Sequence, residues 1–146
     1  MVGSNQKVSM KIGVIGSMQF TEKMMELRDR LIDLGHESFL TGLAEPFVGK
    51  TDEEKEQIKI HQKMNCDAIR EFWQVMQGAD AVLVANYEKH GVPNYIGANT
   101  FLEIGFAHVL NQKIFCLNPL PDNIYLKTEL EAMRPIIISG DLTKVN

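Results

Sequence analysis

Short apolar runs alternate along this chain with longer segments in which apolar residues recur at helical spacing. The runs predict five strands, at residues 11–16, 36–40, 80–86, 113–118 and 135–138. The intervening segments predict helices at 20–34, 52–77, within 95–110 and at 123–133. The run at 80–86 is the strongest strand signal, because a continuous apolar strand is typical of a parallel sheet covered on both faces. The alternation predicts a single doubly wound α/β domain of flavodoxin-like order, with a five-stranded parallel sheet and helices on both faces.

Glycines mark the ends of two predicted helices, at Gly35 and Gly78. The helix predicted at 52–77 begins with acids, as helix starts often do. Its expected buried side consists of Ile58, Met64, Ile69, Phe72, Trp73 and Met76.

Length and composition fit one domain. The chain has 146 residues, 45% of them hydrophobic and 23% charged, and a chain of this size can bury a substantial core. We expect residues 10–146 to form the domain and residues 1–9 to be a disordered lead or an expression remnant, with Met10 as the natural start. The formal net charge of −4 and the lack of a basic stripe argue against nucleic acid as a partner.

Two further features bear on location and metal binding. No run approaches the ~18 apolar residues of a membrane helix, and the first residues lack the apolar stretch of a signal peptide. Cys66 and Cys116 lie in apolar contexts without a Cys-x-x-Cys motif, so we expect reduced core residues in a cytoplasmic protein. The four histidines have no metal-ligand spacing, and no metal site is expected.

Small and polar residues follow the predicted strands. In parallel α/β sheets, ligands bind beyond the carboxyl ends of the strands, so these residues are expected around one crevice. The turn after the first strand offers backbone N–H groups to an anion, or it is only a turn glycine followed by a helix cap. The candidates at strand ends are Gly16, Ser17, Met18, Asn86, Tyr87 and Asn118.

One acid, Glu103, interrupts the apolar surface of the helix within 95–110. Its sequence is Thr-Phe-Leu-Glu from Thr100, which matches the S/T-x-x-E capping box, and in that interpretation Glu103 only starts the helix. In the other interpretation it is an acid held at a pocket, available as a nucleophile or to position a sugar. Both place Glu103 in the first turn, where free N–H groups favour a carboxylate or a bound anion. Local spacing leaves both interpretations open.

Other motif matches fail on physical grounds. Residues 44–51 fit a relaxed P-loop pattern, but Pro46 removes an N–H donor, Phe47 adds bulk, and three acids follow that would repel phosphate. The glycines of 13–16 do not form G-x-G-x-x-G. Ser17 lacks the G-x-S-x-G elbow of a serine hydrolase, and His108, inside a helix, is expected to pack or to face solvent.

Four segments taken together resemble the nucleoside 2-deoxyribosyltransferase superfamily. They are Lys-Ile-Gly-Val-Ile-Gly-Ser-Met at 11–18, Gly-Ala-Asp-Ala-Val-Leu-Val-Ala-Asn at 78–86, Gly-Ala-Asn-Thr-Phe-Leu-Glu-Ile-Gly-Phe-Ala at 97–107 and Asn-Gln-Lys-Ile-Phe at 111–115. The resemblance extends over most of residues 11–142. In that superfamily, which includes 2′-deoxynucleoside 5′-monophosphate N-glycosidases, the glutamate of the E-[LIM]-G-[YFR]-A motif attacks the anomeric carbon of the sugar. The resemblance implies this role for Glu103, a structural role for Asp80, and no metal or organic cofactor.

The chain departs from the superfamily pattern at two positions. A second acid in the helix before the central strand usually helps to position the nucleophile and the sugar. At that distance this chain has Phe72 and Trp73, with Glu71 and Asp67 as approximate candidates. The transferases also place an aspartate shortly before the nucleophile, where this chain has Gly97. A chain without that acid resembles more closely the monophosphate hydrolases, whose corresponding loop contacts phosphate.

The resulting hypothesis is an enzyme that cleaves or transfers the N-glycosidic bond of a nucleoside or nucleoside 5′-monophosphate through a Glu103 glycosyl ester. Gly97, Asn99 and Thr100 are candidate donors to a phosphate, and Tyr95 is a candidate to stack on the base. The alternative is a nucleotide-binding sensor that performs no chemistry, which the missing helper acid would permit.

The resemblance also implies a homodimer or higher homo-oligomer, because superfamily members complete their sites with a neighbouring subunit. The helix within 95–110 carries more apolar residues than one sheet face needs, Ile104 and Phe106 as well as Phe101, Leu102 and Val109. Segment 125–134 is expected near the same edge, with Tyr125, Lys127, Glu131 and Arg134 able to reach a partner.

Overall fold

The structure is a computed structural model, and it describes residues 8–146. The predicted lead at 1–9 therefore lies almost entirely outside the described residues. Met10 is buried, and its backbone N–H donates to Nδ1 of His36 at 3.1 Å.

Five parallel strands form the sheet, in the order β2-β1-β3-β4-β5. Their bounds are β1 Lys11–Ile15, β2 Glu37–Phe39, β3 Ala81–Val84, β4 Lys113–Cys116 and β5 Ile136–Ile137. The first strand pairs with both the second and the third, so the chain reverses its direction of travel across the sheet at β1. This order is the flavodoxin-like one, and the predicted fold class is confirmed.

Five α-helices cover the sheet. They are α1 Thr21–Asp33, α2 Asp52–Asn65, α3 Ala68–Val75, α4 Ala98–Val109 and α5 Lys127–Ala132. Short 3-10 turns lie at Met18–Phe20, Glu45–Phe47 and Leu142–Lys144. The first helix packs with the C-terminal residues on one face of the sheet. The third, fourth and fifth helices form the core of the other face.

The central strand explains why the sheet is covered on both sides. All four residues of β3 are buried, and alternate side chains enter the two core clusters, Ala81 and Leu83 on the α1 side and Val82 and Val84 on the α4 side. Successive strand residues point to opposite faces, so a fully apolar strand requires a layer on each.

The prediction of one long helix at 52–77 is wrong in one respect, because the structure has two helices there, α2 and α3. Asp67 has a left-handed backbone with φ of 46°, and its carboxylate accepts the N–H of Arg70 as the cap of α3. Aspartate tolerates this conformation better than most residues, since its short polar side chain can bond locally. Helical periodicity continues through the break, which is why sequence spacing missed it.

The break also changes which side chains are buried. Phe72 and Met76 enter the core as expected, but Met64 is 79% exposed, and Ile69 and Trp73 are also exposed. The expectation of two core cysteines is half wrong, because Cys116 is buried and Cys66, at the end of α2, is exposed. Among the described helices, none combines the length and apolar character needed to span a bilayer.

Candidate active site

A small pocket opens at the carboxyl edge of the sheet, between β1, α2, α3 and α4. Its cavity volume is ≈ 50 Å³. Sites for small organic ligands usually measure hundreds of Å³, so a nucleoside would extend beyond this cavity towards solvent. The polar and charged residues that line it are Thr41, Lys59, Gln62, Lys63, Asn99 and Glu103.

Glu103 belongs to the second turn of α4 and does not cap it. The helix begins at Ala98 with Gly97 as its N-cap, and no side chain caps it. The capping box between Thr100 and Glu103 is therefore not formed, and the placement of Glu103 in the first turn is wrong. The S/T-x-x-E pattern occurs here inside a helix that has already started two residues before Thr100.

The side chain of Glu103 instead faces the pocket. It lies on the buried face of α4 with Thr100, Ile104 and Ala107, and its exposed fraction is 8%. No hydrogen bond within residues 8–146 reaches its carboxylate. A buried carboxyl group without a partner is costly when ionised, and in this position it can receive a ligand.

Burial raises the pKa of Glu103 to about 8, and the negative charge of Glu71 contributes in the same direction. The ammonium group of Lys63 opposes both effects and lowers this pKa. At neutral pH most molecules without a ligand therefore carry a protonated Glu103. Perturbed carboxyl groups in clefts are typical of functional sites, although they also occur in structural networks.

Glu71 lies on α3 and is the acidic neighbour of Glu103. One of its carboxylate oxygens accepts the hydroxyl of Thr41 at 2.6 Å, and the other accepts the backbone N–H of Gly42 at 3.0 Å. A Cβ atom at position 42 would lie 2.9 Å from a Glu71 oxygen, so a side chain there would displace the carboxylate from this contact. Glu71 thus fixes the segment after β2 and sets the local charge, while Phe72 occupies the pocket wall beside it.

The turn after β1 is also part of the site. Gly16 and Met18 line the pocket, together with Asn99 and Glu103. Ser17 caps the following 3-10 turn through Gln19, and its hydroxyl also accepts a hydrogen bond from Nζ of Lys89 at 3.1 Å. The structure thus brings five of the predicted site residues together at one edge of the sheet: Gly16, Ser17, Met18, Asn99 and Glu103.

Asn86 and Asn118 lie at the same edge but bond to each other. The amide nitrogen of the Asn86 side chain donates to the carbonyl oxygens of Asn118 and Pro119, each at 2.9 Å. The backbone N–H of Asn118 donates to the side-chain oxygen of Asn86 at 2.9 Å. These bonds join the ends of β3 and β4 and use both amide hydrogens of the Asn86 side chain, so it has no donor left for a ligand.

The two tyrosines occupy different places. Tyr87 packs edge-on against Phe20 at 5.3 Å on the α1 side, and its side chain does not line the pocket. Burial raises its pKa. Tyr95 lies beside the start of α4, where a Cβ atom at Gly97 would be 2.9 Å from its hydroxyl oxygen. Its ring also lies 4.9 Å from Nζ of Lys89. Tyr95 thus fills the space that a side chain at position 97 would need.

Several pocket residues were missed by the sequence analysis. Lys59 and Lys63 come from α2, and Thr41 and Phe47 come from the segment after β2. The spacing of Lys55, Lys59 and Lys63 at four-residue intervals is a signal that places three lysines on one helix face. Asp80 contributes outside the pocket, where its carboxylate accepts the N–H of Lys11 at 2.8 Å, in keeping with a structural role.

Residues 44–51 form no phosphate cradle. Phe47 is buried, and the N–H of Gly49 donates to the carboxylate of Glu22 at 2.8 Å. Within residues 8–146, no three His, Cys, Asp or Glu side chains lie close enough together to hold a metal ion. The polar groups that line the pocket are carboxyl, ammonium, hydroxyl and amide groups.

No protein-family model, curated protein or solved structure matches this chain. Fold and geometry alone define its class. It is a flavodoxin-like α/β domain with a buried carboxyl group at a pocket on the carboxyl edge of the sheet.

Proposed function

We propose that this protein is an enzyme that cleaves or transfers the N-glycosidic bond of a nucleoside or nucleoside 5′-monophosphate, with Glu103 as the nucleophile. One observation carries the proposal: Glu103 is a buried carboxyl group that faces a pocket at the ligand-binding edge of the sheet and has no hydrogen-bond partner among the described residues. The resemblance of residues 97–107 to the deoxyribosyltransferase motif supports the same assignment.

The reaction proceeds in two displacements. The Glu103 carboxylate attacks the anomeric carbon, the carbon–nitrogen bond breaks, and the base leaves with the electron pair and takes a proton from solvent. Water or a second base then attacks the same carbon and gives up a proton to solvent, the ester bond breaks, and Glu103 is released as a carboxylate. Two displacements at one carbon retain its configuration. Position 97 is a glycine, so it has no side chain that could protonate the leaving base.

The raised pKa of Glu103 gives this proposal a distinctive pH dependence. Only the ionised form is a nucleophile, so kcat/KM should rise about tenfold per pH unit below the pKa of about 8 and level off above it. If Glu103 acted as a general acid instead, kcat/KM would fall above that pH. The direction of the profile therefore distinguishes the two roles.

The direct test is chromatography of nucleosides and 5′-monophosphates incubated with the protein and scored for free base. Release should disappear in Glu103→Gln and persist in Glu37→Gln, which changes an exposed glutamate at the start of β2, on the opposite edge of the sheet from the pocket. A nucleophilic role also predicts a sugar adduct on the peptide that contains Glu103, detected by mass spectrometry after acid quenching. Undiminished base release from Glu103→Gln would remove Glu103 as the nucleophile.

A second candidate function is a nucleotide sensor without chemistry, and one observation favours it. Phe72 occupies the pocket wall near the position expected for a helper acid, and both oxygens of Glu71 are engaged by Thr41 and Gly42. Tight binding of one nucleotide without base release from any compound would establish the sensor.

We further propose that the protein is a cytoplasmic homo-oligomer. The groove between α4 and α5 is lined by apolar residues, and Leu102 and Val109 on α4 are exposed, Val109 to 73%. Light scattering should give at least twice the 16.5 kDa of one chain, and Val109→Asp should lower that mass. A wild-type mass equal to one chain, with activity unaffected by dilution, would eliminate a shared site. The cytoplasmic assignment rests on the two free cysteines.

A further inference from the structure

Three lysine side chains converge at the mouth of the pocket. Lys59 and Lys63 are one turn apart on α2, and both line the cavity with Glu103. Lys89 comes from the segment after β3, and its Nζ donates to the hydroxyl of Ser17 at 3.1 Å, in the turn whose neighbouring residues Gly16 and Met18 line the pocket. Together with Ser17, these groups come from three parts of the chain, the turn after β1, α2 and the segment after β3, so the fold and not a local sequence run assembles them.

In the described part of the chain, only one of these three lysines forms a salt bridge. Lys59 pairs with Glu56 at 2.7 Å. Within residues 8–146, neither Lys63 nor Lys89 forms a salt bridge with a carboxylate. Burial lowers the pKa of both, and the neighbouring Lys59 charge lowers it further. Ammonium groups that are partly buried and close to one another repel, and a bound anion would relieve this repulsion.

The charges of the surrounding groups indicate the charge of the anion that would bind beside Lys63 and Lys89. Glu103 is mostly neutral at pH 7, because its pKa is about 8. Glu56 offsets part of both charges from a distance, but neither the Lys63 nor the Lys89 ammonium group has a paired anion among the described residues. A phosphate monoester carries about −1.5 to −2 charges at pH 7, whereas a carboxylate or a phosphodiester carries only one.

We propose that Lys63, Lys89 and Ser17 form a binding site for a dianionic phosphate monoester at the mouth of the Glu103 pocket. The ammonium groups act as donors to the phosphate oxygens. The Ser17 hydroxyl, released by Lys89, adds a third donor, and the backbone at Gly16 lies next to it on the pocket wall. Lys59 adds long-range attraction while it remains paired with Glu56.

This inference rests on the proposed function for one point only, that the phosphate belongs to the substrate. In that case the lysines select nucleoside 5′-monophosphates over unphosphorylated nucleosides. The phosphate would be held on the α2 side of the pocket while the sugar approaches Glu103. Free inorganic phosphate has the same chemistry, and the experiment separates the two sources.

The experiment measures binding without turnover. Calorimetric titration of the full chain with inorganic phosphate, at constant ionic strength, is compared for the wild type, Lys63→Gln, Lys89→Gln and Lys144→Gln. Lys144 is exposed near the C-terminus and serves as the matched control. We expect wild type and control to bind alike and each pocket variant to bind at least tenfold more weakly. Equal affinity in all four proteins, or no binding to the wild type, would overturn the site.

A second titration uses a nucleoside and its 5′-monophosphate with Glu103→Gln, which cannot turn either compound over if the proposed function holds. We expect the monophosphate to bind at least tenfold more tightly than the nucleoside and than inorganic phosphate. Monophosphate affinity equal to that of inorganic phosphate would assign the site to free phosphate and overturn the substrate selection. Lysine-dependent phosphate binding without base release from any monophosphate by the wild type would instead refute the proposed function and leave the site intact.

Discussion

Replacing Glu103 by glutamine should stabilise the protein at neutral pH. The carboxyl group has an ordinary pKa of 4.5 in the unfolded chain and about 8 in the folded one. Because the folded pKa is raised, the protein has its full free energy of unfolding below pH 4.5, where Glu103 is protonated in both states. The free energy of unfolding then falls as the pH rises towards 8. Each pH unit between these values costs about 1.4 kcal/mol. Glu103 alone should therefore destabilise the wild type by about 3 kcal/mol at pH 7.

Glutamine keeps the shape of the side chain and removes the ionisation. The free energy of unfolding of Glu103→Gln, from urea denaturation, should equal that of the wild type near pH 4.5 and exceed it by about 3 kcal/mol at pH 7. For a domain of this size the difference corresponds to about 10 °C in Tm. The control variant Glu37→Gln, at the start of β2, should have the same free energy of unfolding as the wild type at both pH values. Parallel stability curves for Glu103→Gln and the wild type from pH 4.5 to 8 would refute the reasoning, since they would mean that Glu103 ionises as easily in the folded protein as in water.

Three further predictions concern the groups around the pocket and the edge of the sheet. Glu71→Gln should lower the pKa of Glu103, because it removes a neighbouring negative charge, and should shift the rising limb of the kcat/KM profile to lower pH; an unmoved limb would exclude electrostatic coupling. Asn86→Ala should lower the free energy of unfolding by about 2–3 kcal/mol through lost buried hydrogen bonds, with an unchanged m-value in urea. Glu22→Gln should cost about 1 kcal/mol at pH 6, a modest value because Glu22 is about half exposed. Its bonds to Lys55 and Gly49 lower the pKa of Glu22 to about 2, so the difference from wild type should shrink as the pH falls from 4.5 towards 2.

The sequence predicted the fold because the strands of a doubly wound sheet carry a strong local signal. The run ending at Asn86 is apolar throughout, and the burial of all of β3 follows directly from that composition. The break between α2 and α3 left no such signal. Apolar residues continue at helical spacing through it, and Asp67 is no stronger a helix breaker than many interior residues.

The candidate site was predictable only in part. Glu103 was found from its motif, but its position in the second turn depends on where α4 begins, and Gly97 as a cap without a side chain gives little indication of that. The pairing of Asn86 with Asn118 depends on two strand ends meeting in space. The position of Lys89 over the first turn depends on the path of a loop, which local sequence does not determine.

The second helix is held to the domain mainly by polar contacts. Its only buried side chains are Lys55, which bonds to Glu22 and to the carbonyl of Gln19, and Gln62, which bonds to the carbonyl of Leu43. Segments with few buried apolar groups open at lower free energy than the core. Amide hydrogens of α2 should therefore exchange with solvent sooner than those of β3. Because α2 supplies Lys59 and Lys63, it would be the first part of the pocket wall to move when a ligand larger than the cavity enters.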